Sequence, residues 1–324
     1  METIGSIRLV RRLGAGSFAT VWLGQDTAHH HHPVAVKILA ENWSDNEDVR
    51  NRFLAEARLM NRINDERIVR VHSLGVLPDS RPYFVMDYCN AGSLNDRRRS
   101  PGDPLETLRL CAEACRALDV LHRHRVVHRD VTPGNLLLQV NDQPLGGAPH
   151  LRAGMPRVRL ADLGVAKELI GQQGVTMTAG TPAFMAPEQA TGRPLGAHSD
   201  IYALACVTYA VLTGDPPFPV KSVQDVMLLS AESVPPPLAD RIGAPPDLDR
   251  LLQAALSVDP ARRPASAEAM GIALHRIADA MAPARGGFAE ATRVVPPSAR
   301  IAAPDSPASH SSPAPFRPTV APPA

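Results

Sequence analysis

The amino-acid sequence predicts an α+β protein with two lobes, the first rich in β-strands and the second mainly helical. Up to about residue 88, residues alternate between apolar and polar as in strands, with a single helical stretch between them. From Leu105 onward, long segments with helical spacing take over. After Met281 the chain is rich in Pro, Ala and Ser and cannot bury enough apolar surface to fold. We therefore expect lobes over about 5–88 and 89–281, followed by a disordered tail over 282–324.

The first lobe is predicted to contain five strands and one helix. Ile7 and Leu9 lead into LGAGSFATVWLG, and PVAVKIL follows, which gives three antiparallel strands with the glycine-rich segment in the first hairpin. IVRVHSLGVL and RPYFVMDYC add two more strands. Between the two groups, Ser44 with Glu47 three residues later forms a capping box, which predicts that the helix begins at Ser44.

A lysine and a glutamate of this lobe are predicted to pair. On the VAVK strand, alternation places Ala35 and Lys37 on one face, opposite Val34 and its apolar neighbours. On the following helix, Glu56 falls on the apolar stripe that includes Phe53. A carboxylate on a buried face needs a cation or a donor. A Lys37–Glu56 ion pair satisfies both residues.

The second lobe is predicted to be helical, with short strands at VVH, NLLLQV and RVRLAD. A helix is expected from Leu105 to His124, and its Cys111 and Cys115 read as core residues rather than ligands. The longest apolar run, Ile201 to Gly214, is too short to cross a bilayer and predicts a buried helix. We expect no membrane span, no signal peptide and a cytoplasmic protein with reduced thiols.

The charge balance argues against a nucleic-acid partner. The chain has 34 Lys and Arg against 33 Asp and Glu, a formal charge of +1. The four histidines from His29 to His32 lie between two predicted strands, and we interpret them as a solvated hairpin tip. The segment from about 139 to 157 is rich in Gly and Pro and is expected to be a surface loop.

Several motifs occur in one particular order along the chain. They are the glycine loop, VAVK, a helical Glu, HRDVTPGN with Asn135 five residues after Asp130, ADLG with Asp162, APE with Glu188, and the late Arg263. In this order they resemble the eukaryotic-like (Hanks-type) serine/threonine protein kinase family, especially its bacterial branch, over roughly residues 5 to 281. The resemblance implies a two-lobed protein-kinase fold and transfer of the γ-phosphate of ATP to protein Ser/Thr hydroxyls.

The resemblance also implies a role for each matching residue. Asp130 would orient the substrate hydroxyl, Lys37 would contact the α- and β-phosphates while paired with Glu56, and Asn135 and Asp162 would hold Mg²⁺ or Mn²⁺. The rest of the ATP site would be formed by Leu13, Gly14, Gly16 and Val21 at the glycine loop, Ala35 against the adenine, Met86 as the gatekeeper and Asp87 to Cys89 as the hinge.

The segment VTMTAGTPAFMAPEQA resembles a kinase activation segment. Thr181 matches the threonine beside the catalytic Asp, and Thr176 and Thr178 are candidate autophosphorylation sites whose phosphate would pair with Arg129. The alternative is that these two threonines are ordinary polar loop residues. The resemblance further implies that Glu188 pairs with Arg263, and that Asp200 braces the catalytic loop, which is the HRDVTPGN segment from His128 to Asn135. Protein substrates are the expected partners, and self-association would serve trans-autophosphorylation.

Three positions depart from the family pattern. Ala19 replaces a third glycine, and DLG replaces DFG, and both changes are compatible with activity. Thr132 stands where serine/threonine kinases usually have a lysine, so we expect a slower or differently tuned enzyme. A pseudokinase scaffold and a small-molecule phosphotransferase remain as alternatives. All of Lys37, Asp130 and Asp162 are present, which favours catalysis, and the threonine-rich segment with APE favours peptide substrates.

Overall fold

The computed structural model describes residues 3–140, 156–164 and 182–282, and the first part of the chain forms a six-stranded sheet. Neighbouring strands are antiparallel, in the order β1-β2-β3-β4-β6-β5. The strands are β1 (Thr3–Ile4), β2 (Ile7–Ala15), β3 (Ala19–Asp26), β4 (His32–Leu39), β5 (Val71–Val76) and β6 (Pro82–Asp87). The five predicted strands are therefore present, and the short β1 was not predicted.

Strand β4 separates two apolar clusters, as the alternation predicts. Val34, Val36 and Ile38 pack in a small cluster on the outer face of the sheet. Ala35 belongs to the main core on the other face, and the side chain of Lys37 is buried on that same face. The β3–β4 turn carries the exposed His29, His30 and His31, and the exposed His32 begins β4, in agreement with a hairpin tip.

Helix α1 (Glu47–Arg62) packs against this sheet and carries Glu56 on its buried face. The predicted start at Ser44 is wrong. Ser44 instead ends a short 3-10 helix, Glu41–Trp43, and the N-cap of α1 is Asn46. The Asn46 side-chain oxygen accepts a hydrogen bond from the backbone N–H of Val49 at 3.0 Å, and this bond satisfies a helix N–H that otherwise lacks a partner.

The second lobe is built mainly from helices. They are α2 (Leu94–Arg99), α3 (Pro104–Arg123), α4 (Pro187–Ala190), α5 (Ala197–Thr213), α6 (Val223–Met227), α7 (Leu238–Ile242), α8 (Pro246–Ala255) and α9 (Ala267–Met281). Helices α3 and α5 form the centre of this lobe, and most of their residues are buried. Cys111, Cys115 and Cys206 are buried thiols in this core. The predicted two-lobed α+β architecture is confirmed.

A two-stranded antiparallel sheet, β7 (Leu136–Gln139) with β8 (Arg157–Leu160), lies between the two lobes. A third strand predicted at VVH does not form. The N–H groups of His128 and Arg129 donate to the side chain of Asp200 rather than to a neighbouring strand. Arg129 also has a φ of 67°, which is incompatible with an extended strand.

The described residues all lie in one compact unit that spans Met1–Pro283. Among them, no helix is long and apolar enough to span a membrane. The predictions for the tail and for the core of the 139–157 insertion concern residues outside the described ranges.

Candidate active site

A cleft of about 1020 Å³ lies between the sheet and the second lobe. Residues from both lobes line it, and they include every described residue that the sequence predicts to bind nucleotide or act in catalysis. These are Leu13, Gly14, Gly16, Val21, Ala35, Lys37, Glu56, Met86, Asp87, Cys89, Asp130, Asn135 and Asp162. Thr132 also lines the cleft. Thr176, Thr178 and Thr181 lie outside the described residues.

The glycine-rich loop forms the roof of the cleft. Strands β2 and β3 hold it, and the N–H of Gly16 donates to the carbonyl of Ala19 at 2.9 Å, which closes a tight turn. A Cβ added at Gly14 would meet no heavy atom within 4 Å. Protein packing therefore does not require glycine at this position, and the space above the backbone is open to a ligand.

Lys37 joins the two lobes through two ion pairs. Its Nζ lies 2.8 Å from Oε1 of Glu56 on α1 and 2.9 Å from Oδ1 of Asp162. Burial alone would lower the pKa of Lys37, but the carboxylates of Asp162 and Glu56 outweigh it and raise this pKa above its ordinary value. Burial raises the pKa of Glu56, while Lys37 opposes that rise. Lys37 is thus a fixed, fully charged cation on the face of the sheet that lines the cleft. The predicted Lys37–Glu56 pair is present.

Asp130 and Asn135 are held together at the base of the cleft. The Nδ2 of Asn135 donates to the backbone carbonyl of Asp130 at 2.8 Å and to its Oδ2 at 2.9 Å. The backbone N–H of Asn135 donates to the carbonyl of Thr132 at 3.1 Å. These bonds fix the orientation of the Asp130 carboxylate and leave the amide oxygen of Asn135 as an acceptor.

Gly164 of the ADLG motif allows the segment that bears Asp162 to pack closely against the segment that bears Asp130. A Cβ added at Gly164 would lie 2.9 Å from the Cβ of Asp130 and 3.1 Å from the carbonyl oxygen of His128. A larger residue would push apart the two segments that bear Asp130 and Asp162. Sequence reasoning missed this requirement, although a glycine directly after the Asp–Leu pair was its signal.

Asp200, at the start of α5, braces the catalytic loop from below. Its carboxylate accepts from the N–H of His128 at 2.8 Å and of Arg129 at 2.9 Å, and it lies 2.8 Å from Nε2 of His122. A buried carboxylate with this many partners replaces the backbone bonds that a strand would supply. The predicted bracing contact is therefore present, and His122 is an additional partner that the sequence did not indicate.

Glu188 and Arg263 form a buried bidentate ion pair. The Nη1 and Nη2 atoms of Arg263 lie 2.6 and 2.8 Å from the two carboxylate oxygens of Glu188. Arg263 also donates to the backbone carbonyls of Ser257 and His198, both at 2.9 Å. Burial alone would raise the pKa of Glu188, but the hydrogen bonds from Arg263 and Ser199 lower it below its ordinary value. The pair predicted between APE and the late arginine is therefore observed.

A second charge network lies behind the hinge. Asp87, at the end of β6, has one carboxylate oxygen 2.7 Å from Nε2 of His72 and the other 2.7 Å from Nη2 of Arg159. Arg159 lies on β8 and also donates to the backbone carbonyls of Glu66 and Ile68. Burial raises the pKa of Asp87, but Arg159 and His72 outweigh this effect and lower it overall. The network links both lobes, and no spacing rule in the sequence points to it.

The residues of the cleft also fit a divalent cation. Asp162 offers a carboxylate oxygen beyond the one that contacts Lys37, and Asn135 offers its amide oxygen. Within the described ranges, no three His, Cys, Asp or Glu side chains cluster in a way that could hold a metal by themselves. Mg²⁺ commonly binds to one or two protein oxygens together with substrate phosphates, so two protein ligands suit it.

Comparison with known proteins identifies the family. The protein kinase domain family matches residues 7–273. The chain is 33% identical over 275 residues to the serine/threonine-protein kinase PknB of Mycobacterium tuberculosis, and the match covers 82% of this chain and 42% of that protein. It is 36% identical over 274 residues to the DNA damage-responsive serine/threonine-protein kinase RqkA of Deinococcus radiodurans, covering 82% of this chain and 38% of the relative.

Among solved structures, the kinase domain of Mycobacterium tuberculosis PknI, a C20A_R136A double mutant, superimposes with a TM-score of 0.65 at 26% identity. This match covers 86% of this chain and 97% of the PknI chain. The chain spans about two fifths of the length of the curated relatives described above. The match over most of its own length is nevertheless decisive for the family. The chain belongs to the protein kinase domain family.

Proposed function

We propose that this chain is an ATP-dependent protein kinase that transfers the γ-phosphate of ATP to Ser/Thr hydroxyls of proteins, itself included. One observation carries the proposal: the same cleft is lined by Lys37, which two carboxylates hold, and by Asp130, which Asn135 orients. Phosphoryl transfer needs a fixed cation on the phosphates, oxygen ligands for a divalent ion and a carboxylate for the acceptor. The relatives named serine/threonine-protein kinases support the acceptor class.

ATP would bind with its adenine between the two lobes. Ala35 on β4 and the gatekeeper Met86 would contact the ring, and the backbone from Asp87 to Cys89 would form the hinge contacts. Leu13 and Val21 would cover the ring from above, because both lie on the strands that flank the glycine-rich loop. Ala35, Met86 and Cys89 are buried, which suits an apolar base.

The transfer step would proceed with Asp130 accepting the proton of the Ser/Thr hydroxyl. A bond forms between the hydroxyl oxygen and the γ-phosphorus, the bond from this phosphorus to the β,γ-bridging oxygen breaks, and ADP leaves with the electron pair. Lys37 would neutralise charge on the α- and β-phosphates. Mg²⁺ or Mn²⁺, held by Asn135 and Asp162, would supply positive charge for the phosphate oxygens. Such positioning and charge neutralisation account for most of the catalysis in this reaction class.

Thr132 is expected to modify the rate of this reaction rather than abolish it. Its side chain lines the cleft next to Asp130 and Asn135, where a lysine would contact the γ-phosphate. Loss of one charge-assisted hydrogen bond costs roughly 1.5–3 kcal/mol, which is about a 10- to 150-fold change in rate. This is small compared with the total acceleration of an enzyme, so catalysis remains the proposal.

Regulation by phosphorylation belongs to the same proposal. A phosphate on Thr176 or Thr178 would pair with Arg129 and order the activation segment, and Thr181 would line the acceptor site. Self-association would allow one copy to phosphorylate another. We also propose that the catalytic unit extends over about 5–281, that 282–324 is a disordered tail, and that the enzyme works in the cytoplasm, where ATP is supplied.

The test is phosphate transfer from labelled ATP with Mg²⁺ by the purified full chain, using the protein itself and a generic basic protein as acceptors. We expect phosphoserine and phosphothreonine, with labelling of Thr176 or Thr178 in the chain itself. No incorporation, despite ATP binding, would favour the pseudokinase scaffold. Phosphorylation of an aminoglycoside or choline-like alcohol without protein labelling would favour a small-molecule phosphotransferase.

A further inference from the structure

The tip of the glycine-rich loop is attached to the segment just before helix α1. The indole Nε1 of Trp43 donates a hydrogen bond to the backbone carbonyl of Ser17 at 2.9 Å. The rings of Trp43 and Phe18 are stacked, with centroids 5.3 Å apart and planes 28° apart. Next to this contact, the N–H of Ala40 donates to the carbonyl of Phe18 at 2.8 Å. We call the set Ser17, Phe18 and Trp43 the loop clasp.

The loop clasp fixes the direction of a peptide group that lines the cleft. Ser17 and Phe18 both line the cleft directly after Gly16. In a trans peptide the C=O and the next N–H point in opposite directions. Anchoring the Ser17 carbonyl on the indole therefore turns the N–H of Phe18 away from Trp43. It also keeps two carbonyl oxygens, those of Ser17 and Phe18, engaged with donors of the protein, where they cannot repel an anionic phosphate.

The ring contact adds rigidity to the hydrogen bond. Phe18 is only 9% exposed although its neighbours Ser17 and Gly16 are exposed. An aromatic pair of this kind contributes beyond the area it buries. Trp43 itself is held by its backbone, because its N–H donates to Ala40 and its carbonyl accepts from Asn46, the N-cap of α1. The loop tip is thus connected to the start of the helix that carries Glu56.

We propose that Trp43 is a positioning residue for the phosphates of ATP. It holds the tip of the glycine-rich loop in the orientation that accepts the triphosphate, while the adenine site depends on other residues. This inference rests on the proposed function, since it assigns the loop to ATP. It makes a specific distinction: Trp43 matters for a ligand with phosphates and not for the same ligand without them.

The experiment compares binding of Mg²⁺–ATP and of adenosine by calorimetry for the full chain and two variants. Trp43→Phe keeps an aromatic ring opposite Phe18 and removes the indole N–H that donates a hydrogen bond to the Ser17 carbonyl. Trp22→Phe is the matched control, because Trp22 packs against the cluster on the outer face of the sheet. Thermal unfolding of each variant checks that the fold is intact.

We expect Trp43→Phe to weaken Mg²⁺–ATP binding by about 2- to 10-fold, the range for loss of one neutral hydrogen bond, and to leave adenosine binding within 2-fold. Trp22→Phe should change neither. Trp43→Ala, which also loses the ring contact, should weaken Mg²⁺–ATP binding further. Equal losses for ATP and adenosine, or no loss for either, would overturn the inference while wild type still binds ATP and transfers phosphate. A wild-type chain that binds no ATP would instead overturn the proposed function and the inference together.

Discussion

The buried pair between Glu188 and Arg263 gives the sharpest prediction about stability. Arg263 makes two charge-assisted bonds to Glu188 and two further bonds to backbone carbonyls at 2.9 Å, and its guanidinium lies 4.9 Å from the ring centre of Tyr202. Its side chain has no exposed surface. Replacing it with alanine leaves a buried carboxylate without its cation. The cost of breaking such a pair is about 3–5 kcal/mol, which corresponds to a fall in the unfolding midpoint of roughly 6–20 °C.

The neighbouring residue Arg262 provides a matched control. Its side chain is 76% exposed, and its nearest carboxylate, on Asp259, is 3.9 Å away. Arg262→Ala should therefore shift the midpoint by no more than about 2 °C. The double variant Glu188→Met/Arg263→Met should lose less than the sum of its two single variants, because removing both partners leaves no unpaired charge.

Calorimetry or circular dichroism on the purified chain measures these midpoints, and urea denaturation gives the corresponding free energies. An Arg263→Ala midpoint within 2 °C of Arg262→Ala would refute the reasoning. Additive losses in the double variant would show that the two residues do not act as a pair.

Three further predictions concern the cleft, the hinge and pH. Thr132→Lys should keep phosphate transfer and raise its rate by up to about 150-fold; abolished labelling in an autophosphorylation assay would contradict the view of Thr132 as a tolerated loss. Asp87→Asn removes the charge between His72 and Arg159, so the KM for ATP should rise by about 2- to 10-fold with little change in kcat, and an unchanged KM would exclude a role in positioning the hinge. The pKa of Glu188 is lowered from its ordinary value of 4.5, so its stabilising effect is present above about pH 4.5 and is lost as the pH falls through the lower folded-state pKa. The stability difference between wild type and Glu188→Gln should accordingly shrink in urea denaturation between pH 5 and pH 3, and a constant difference would argue against this linkage.

Local periodicity was sufficient to predict the central ion pair. Alternation on β4 placed Lys37 on the inner face, and helical spacing on α1 placed Glu56 on the buried stripe, so each needed a partner of opposite charge. The faces of elements are local properties, which is why they can be derived from spacing. The pairings of Glu188 with Arg263 and of Asp200 with the catalytic loop came from the family resemblance instead, since 75 and 72 residues separate these partners.

The two wrong predictions, a strand at VVH and a start of α1 at Ser44, concern backbone N–H groups whose partners differ from those that the local sequence indicates. VVH has the composition of a strand, but its first N–H, of Val126, donates to the carbonyl of Leu121. The carboxylate of Asp200, far along the chain, accepts from the N–H groups of His128 and of the next residue, Arg129. Ser44 and Asn46 are both good capping residues, but Ser44 ends the preceding 3-10 helix, Glu41–Trp43, which leaves Asn46 as the N-cap of α1.

The hinge network and the loop clasp could not be predicted for a related reason. His72, Asp87 and Arg159 come from three different strands, and Trp43 reaches the glycine-rich loop from another element. Periodicity fixes which face a residue occupies but not which residue of a distant element lies opposite. These contacts depend on tertiary packing.

The most direct test of the central claim is phosphate transfer by Asp130→Asn beside wild type and the surface control Asp79→Asn. Asp130→Asn keeps the size of the side chain and its contact with Asn135 but removes the carboxylate that would accept the hydroxyl proton. We predict that it binds ATP as wild type does and transfers phosphate at least about 100-fold more slowly, while Asp79→Asn equals wild type. Labelling of Asp130→Asn at the wild-type rate would contradict the assignment of this cleft as the active site of a protein kinase.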